Sequence, residues 1–400
     1  MSQMNRRQVL KLLAALGATG LVTACADDLD DEGKASKLSD DPVRIGLLIP
    51  QDGRNKPIGE EIRKGFELFL SLNDNLLGGH LVELVVADEG DSVEAGRAAV
   101  EGLIKQNVLA ITGVVDPRIM LGIRDMVEQA KVPLIGSAAS PASLAGVVYI
   151  WRTSQVDNEF GLAIGTHVAR QVRGDVAIVA EEYPLGQDVE AGFRQSFGVS
   201  DARIREKTIW VRYTAKPNRD TYADAVAEVL ARNPEAVFCA LSGPAAATFI
   251  KQLRAAGFRG SRKKIYGPGF LTEGTVLDEL GDDAIGIQTA QNYSADLRNG
   301  ANLRFATAWE RNNDSPPTAY AVSSYDAAQV LDHAIRLAGD QVNRQQLLLA
   351  LGKVGQIDSP RGVWQFNQPR TPLQKWYLRE VQRDGKLLSN LTIAELAILG

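Results

Sequence analysis

From residue 43 onward, short apolar runs alternate with longer segments in which apolar residues return at helical spacing. Runs at 43–50, 81–87, 108–112 and 133–135, then at 176–180, 204–211, 236–241, 264–266 and 285–290, read as strands. Their near-continuous apolar character suits sheets covered on both faces. Between them, helices are expected over 59–77, 92–106, 157–171, 186–197, 222–232 and 244–256. In the first, Ile62, Phe66, Phe69 and Leu70 fall on one stripe; in the second, Ala95, Ala98, Ala99 and Leu103 share a face. Parallel neighbours need a crossover between them, so this alternation builds parallel sheets with helices on their faces. Two groups of runs imply two sheets in two lobes, with a first crossing near 152–157. Helices over 302–311 and 319–338, interrupted by Pro316-Pro317, and strands at 362–366 and 376–382 complete the chain.

Ahead of this body, Arg6, Arg7 and Lys11 precede an apolar run at 12–22 and then Val22-Thr23-Ala24-Cys25, the layout of an export signal over 1–25. The run is too short to cross a bilayer as a helix. Val-Thr-Ala-Cys is similar to the lipobox of bacterial lipoproteins, which implies a lipid on Cys25 and cleavage just before it. Residues 6–11 also resemble a twin-arginine export motif, with Val9 where phenylalanine is commoner; the basic region of a general secretory signal is the other reading. Segment 26–41 sets Asp27, Asp28, Asp30, Asp31, Glu32, Asp40 and Asp41 against Lys34 and Lys37, and is expected to be a solvated tether.

Composition narrows the chemistry. The length of 400 residues suits about two domains. A net charge of −5 without a basic stripe speaks against nucleic-acid binding. His80, His167 and His333 with two cysteines cannot build a conventional zinc or iron–sulfur site, and no metal or other cofactor is expected. With Cys25 lipidated, Cys239 has no disulfide partner and reads as a small core residue. No Ser/His/Asp order fits a strand–turn–helix nucleophile and no glycine-rich phosphate loop follows a strand, so an enzyme is not expected. His167 reads as a packed helix residue and the five tryptophans mostly as core.

Several short segments recur in an informative order: Ile45-Gly-Leu-Leu-Ile-Pro50 with Gly59 and Gly65, Ala130-Lys-Val-Pro-Leu-Ile135 followed by Ser137-Ala-Ala-Ser-Pro141, and Trp151-Arg-Thr153 with Asp157 and Gly161. Lys251-Gln-Leu-Arg-Ala-Ala-Gly257, Gly267-Pro268, the 317–320 segment and Tyr325-Asp-Ala327 complete the set. In this order the chain resembles the leucine/isoleucine/valine-binding proteins, the type I periplasmic solute-binding proteins of branched-chain amino-acid ABC importers. The resemblance implies an α/β, two-lobed type I periplasmic-binding-protein fold, each lobe a parallel sheet covered by helices, joined by a three-crossover hinge. It places lobe 1 at 42–155 plus 292–360 and lobe 2 at 156–291 plus 361–400. It also implies a monomer outside the cytoplasm, anchored to the membrane through Cys25 and serving an ABC permease of the branched-chain amino-acid type.

Ligands of open parallel sheets sit at the carboxyl ends of strands. Ser137-Ala-Ala-Ser140-Pro141 follows the fourth strand, where hydroxyls and the N–H groups opening the next helix would favour a carboxylate. In similar proteins the positions of Ala138 and Ser140 hold the amino acid's backbone groups, and the resemblance carries that role here, with Ser137 beside them. Asp116-Pro117 reads as the N-cap and first residue of a helix; the other reading has Asp116 taking a ligand ammonium or Arg118 a second carboxylate. Gly267-Pro-Gly-Phe270 sets glycine where relatives place the glutamate that pairs with an α-amino group, with Phe270 beside it. Ile58, Leu185 and Ser242 fall at or near positions that are often aromatic in the family. Glu181, Glu182 or Tyr183 could restore an amino-group partner, a solvated loop being the alternative for the glutamates. The expected function is a solute-binding lipoprotein of an ABC importer, closing on a small carboxylate-bearing molecule, an amino acid or related compound. The alternative is a structural or regulatory envelope lipoprotein of the same fold that binds a protein partner.

Overall fold

The computed structural model describes residues 39–400 apart from 215 and 219, with side chains from residue 42. The export signal, Cys25 and the tether as far as residue 38 lie outside the described residues. The last three positions of the expected tether belong instead to a strand, β1 (Ser39–Ile49), whose Ser39 pairs with His80 of β3 (His80–Asp88). Backbone pairing, open to any side chain, overrides the acidic composition there.

The first sheet follows the order β2 (Leu76–Leu77), β3, β1, β4 (Ala110–Gly113), β5 (Leu134–Gly136), β6 (Ile150–Arg152). It is parallel except for β2, which turns back on β3. Helices α1 (Lys56–Leu72), α2 (Val93–Lys105) and α3 (Pro117–Ala130) cross between the strands. The stripe read on α1 is buried as expected: Ile62, Phe66, Phe69 and Leu70 all face the core. The helix stops five residues short of the expected 77 because Asp74 and Asn75 adopt positive φ (54° and 59°), which no helix continues through.

The second sheet runs β8 (Ile209–Val211), β7 (Val176–Glu181), β9 (Ala236–Ala240), β10 (Lys264–Pro268), β11 (Gln288–Gln291), with α4 (Glu159–Gln171), α5 (Pro184–Phe197), α6 (Ala223–Arg232), α7 (Gly243–Ala255) and α8 (Thr275–Leu280) around it. Two of its strands are shorter than their apolar runs. The run at 204–211 opens with a 3₁₀ turn, Ala202–Ile204, capped by Asp201, and the run at 285–290 follows another, Gly281–Ala284. The chain then returns to the first lobe through α9 (Gly300–Glu310), α10 (Ala319–Ala338), α11 (Arg344–Leu351), β12 (Gln356–Ile357) and β13 (Trp364–Phe366). It ends as an antiparallel pair, β14 (Pro372–Asp384) and β15 (Leu387–Leu399), added to β11. The strand pattern had not shown β2, β6, β12 or β15, nor the helical pattern α8 or α11, and of α3 only the start at Asp116-Pro117 was read.

The third crossing lies later than residue 360. Ile357 and Trp364 sit in the first lobe's core with Phe66 and Leu331, and the Phe366 ring meets Trp151 edge-on at 4.8 Å. A buried polar knot ties the three crossings together. The Asn292 amide donates to Gln155 Oε1 (3.3 Å) and Gln374 Oε1 (3.0 Å), and Gln374 donates to the Ser154 carbonyl (3.0 Å). Beside it, Arg361 donates to the carbonyls of Thr153 and Ser154 (2.6 and 3.2 Å) and pairs with Asp326 at 3.0 Å, both side chains almost fully buried. Ser359 and the Trp364 indole also donate to Asp326 (2.8 and 2.9 Å).

Removing one partner of such a pair leaves a charge buried alone. Asp326→Ala is therefore expected to lose roughly 3–5 kcal/mol of unfolding free energy, read by urea denaturation. A second expectation concerns Glu89, which is fully buried and accepts the N–H groups of Val115 and Asp116 (2.8 and 3.1 Å) ahead of α3. Burial pushes its carboxyl up to about 8. The folded state then holds this proton more tightly than the unfolded state, so the contribution is complete below the ordinary glutamate range and is lost as pH rises through about 8. Melting temperature should fall from about pH 5 to about pH 9, and Glu89→Gln should flatten that slope.

Candidate functional site

Both sheets share one strand order, reversing direction of growth between β1 and β4 in the first and between β7 and β9 in the second. At such a reversal the loops leaving neighbouring strands part and open a crevice at their carboxyl ends. Here the two crevices meet around a cavity of about 390 Å³. The loops after β1, β4 and β5 form one wall, and those after β7, β8, β9 and β10 the other.

Of the residues singled out from sequence, Ile58, Ser137, Ala138, Tyr183, Ser242 and Phe270 line this cavity, as does Leu185. Ser140, Asp116 and Arg118 do not. The Ser140 hydroxyl is buried against Arg152, accepting from its Nη1 (3.4 Å), while its carbonyl accepts the Asp157 N–H (2.9 Å). Asp116 caps α3, accepting the Arg118 N–H (2.8 Å), and holds the Arg118 guanidinium at 2.7 Å. Each satisfies the other, and the structural reading of Asp116-Pro117 prevails. No helix opens after Ser137 either: the chain is irregular until β6, so the anion-binding helix terminus expected there does not form.

The strongest cation in the cavity is one the sequence pattern did not single out. Arg54, in the loop after β1, is 6% exposed at its side chain. Its Nη2 donates to the Ser242 carbonyl (3.1 Å) and hydroxyl (2.6 Å), and Ser242 in turn donates to Glu181 (2.9 Å). Nη1 stands 3.5 Å from Glu181 Oε1 and has no hydrogen-bond partner among the described residues. Glu181 is the buried last residue of β7, so the solvated-loop reading fails for it and holds only for the exposed Glu182. Burial raises the Glu181 carboxyl, opposed by Arg54.

The two walls are also clasped by rings. Tyr183 and Tyr213, from the second lobe, stack at 4.4 Å. Arg54 lies over Tyr213 (4.2 Å), and Arg118 lies beside both rings, 5.1 Å from Tyr183 and 5.6 Å from Tyr213, so two arginines of the first lobe contact the stacked tyrosines of the second. Glu273, also missed, accepts the Ala319 N–H at the start of α10 (3.0 Å) and pairs with Arg379 (2.7 Å). Glu61 accepts from the Thr318 hydroxyl (3.0 Å), and burial lifts it to about 7. Asp157 is fully enclosed, and burial pushes its carboxyl well above the usual range. Between these groups the wall is apolar: Phe160, Phe270 and Tyr320 line it, the two phenylalanine rings 5.1 Å apart edge to face. Arg54 and Glu273 sit in loops, where no periodicity marks them, while Glu61 lies on α1 off its apolar stripe.

Among the described residues no group of three histidine, cysteine or acidic side chains could hold a metal ion, and no helix is long and apolar enough to cross a membrane. A family model described as periplasmic binding protein matches residues 42–386. The Leu/Ile/Val-binding protein homolog 6 of Brucella melitensis is 24% identical over 356 residues, covering 87% of this chain and 90% of its own. Two crystal structures of ABC-transporter solute-binding proteins are similar throughout. One, from R. palustris in complex with benzoate, is 27% identical with a TM-score of 0.81, covering 90% of this chain and 97% of its own. The other, from Rhodopseudomonas palustris BisB5 in complex with 3,4-dihydroxybenzoic acid, is 25% identical with a TM-score of 0.82, covering 90% and 98%.

Proposed function

The chain belongs to the periplasmic binding protein family, and on that premise we propose that it captures a small aromatic carboxylate for an ABC importer. As a solute-binding protein of the ABC-transporter class it works outside the cytoplasm and is not an enzyme. The observation that carries the choice of solute is Arg54: a buried guanidinium in a largely aromatic cavity whose Nη1 makes no hydrogen bond among the described residues and faces, at 3.5 Å, a Glu181 carboxyl that burial pushes up. A carboxylate there gains a charge-assisted hydrogen bond at a site already stripped of water. An α-amino acid would fare worse. Glu181 is engaged by Arg54 and Ser242, Glu273 by Arg379, and burial drives Glu61 and Asp157 toward their neutral forms. An ammonium would thus meet buried acids that are paired or driven toward neutrality, and find an exposed carboxylate only at the margin of the lining, at Glu60 and Glu279. The benzoate and dihydroxybenzoate held by the two Rhodopseudomonas proteins are of the class this cavity suits.

Arg54 belongs to the first lobe and the facing Phe270 and Tyr183 to the second, so a ligand touching both stabilises the closed form by differential contact. The closed form is then the one presented to a permease of the branched-chain amino-acid type. A lipid on Cys25 would hold the monomer at the membrane surface. A cavity of about 390 Å³ favours solute capture over the alternative of a structural lipoprotein, which has no use for an open cleft.

Calorimetry with benzoate and with leucine tests the ligand class. Benzoate should bind, and Arg54→Ala should weaken it roughly 10- to 150-fold, the worth of a hydrogen bond to a charged group. Leucine binding with no benzoate signal would refute the assignment. Cys25→Ser should move the protein from the membrane fraction to the soluble fraction and abolish fatty-acid labelling; membrane attachment unchanged by the substitution would rule out the anchor.

A further inference from the structure

We propose that Ser137, Ser154 and Asp157 form a second polar subsite that reads a hydroxyl at the end of the ligand remote from its carboxylate, a proposal that rests on the aromatic-carboxylate reading and narrows it to hydroxylated aromatic acids. Strand register brings the three together. β5 and β6 are parallel neighbours with Gly136 opposite Arg152, and the Thr153 N–H donates to the Gly136 carbonyl (2.9 Å). The chain therefore leaves β5 at Ser137 and passes β6 toward Ser154 side by side. The bond from the Asp157 N–H to the Ser140 carbonyl (2.9 Å) draws the aspartate to the same strand ends.

All three residues line the cavity and are at most 2% exposed. Each keeps one polar atom without a hydrogen-bond partner among the described residues: Ser137 Oγ, Ser154 Oγ and Asp157 Oδ2. Arg54 leaves from β1, two strands away from β5 in the sheet, or about 10 Å at ~4.8 Å per strand. A benzene ring with para substituents and a hydrogen bond at each end spans such a gap. The chemistry matches as well. A phenolic hydroxyl both donates and accepts, as do the serine hydroxyls, and a carboxyl that burial pushes toward its protonated form can do the same. Benzoate would leave all three groups without a ligand partner.

Calorimetry on the whole protein with benzoate and 4-hydroxybenzoate decides the matter. The wild type should bind 4-hydroxybenzoate at least about tenfold more tightly than benzoate. Ser154→Ala and Asp157→Leu should bring that ratio close to one while benzoate affinity stays within about threefold. Ser137→Ala is the parallel variant should Asp157→Leu fail to fold. Equal wild-type affinity for the two acids, or a preference that survives in the serine variants, overturns the subsite and leaves the proposed function standing. Binding of neither acid overturns both.

Discussion

A two-lobed receptor closes on a solute only if its connecting segments bend together, and here that depends on the hydrogen-bonded amides of Gln155, Asn292 and Gln374. Each stands on a different crossing of the chain. An amide side chain both donates and accepts, so the Asn292 amide can donate to the other two while Gln374 passes its own donor on to the Ser154 carbonyl. Losing one would strand buried polar groups at a cost of ~1–3 kcal/mol each. Such a knot permits rotation about the joint and resists separation of the strands, which is what a hinge needs. The buried Arg361–Asp326 pair reinforces it by holding the carbonyls just beyond β6 to the segment that follows β12.

The hinge fixes which groups meet when the lobes come together, and these already bind one another. Arg54 reaches Ser242 and Glu181, the Ala142 N–H donates to Asp188 (2.8 Å), and Glu273 accepts from the start of α10. The contacts of Arg54 and Arg118 with the two stacked tyrosines add ~0.5–2 kcal/mol each. A ligand shifts the balance between open and closed forms only by what it adds beyond these contacts. A cleft that is nearly self-sufficient when shut asks little of its ligand for closure. More of the binding energy is left for discrimination.

Much of this was legible in the chain because parallel strands buried on both faces are written as apolar runs, and helices against them as stripes. Val176–Glu181 and Ala236–Ala240 needed nothing more. What failed to show had other causes. β6 is three residues long, and β15 mixes Ser389, Asn390 and Glu395 into its apolar positions because much of it remains accessible. The site was half legible. Ser137, Ala138 and Ser242 follow strands and so could be placed, but Ser140 turns inward to Arg152, a contact between two strand ends that no local pattern records. Arg54 lies in a polar loop and owes its burial to a tyrosine more than 150 positions away.

The crowding at the end of β10 and the buried arginine act together on the charge of the cavity. Neither Gly267 nor Gly269 has room for a side chain. A Cβ at Gly269 would lie 2.6 Å from Gln291 Nε2, and one at Gly267 would lie 2.7 Å from the Cys239 carbonyl oxygen. Gln291 cannot simply yield, because its side chain accepts the N–H of Asn292, the centre of the hinge knot. The same packing that stabilises the joint therefore forbids a side chain at these two positions. Among the described residues the buried polar atoms left without a hydrogen bond beside the cavity include Arg54 Nη1 and Glu181 Oε1, which face each other at 3.5 Å, and oxygens of Ser137, Ser154 and Asp157. A carboxylate that enters competes with Glu181 for the guanidinium, and because burial pushes the Glu181 carboxyl up, the exchange favours a negatively charged ligand over a second buried acid.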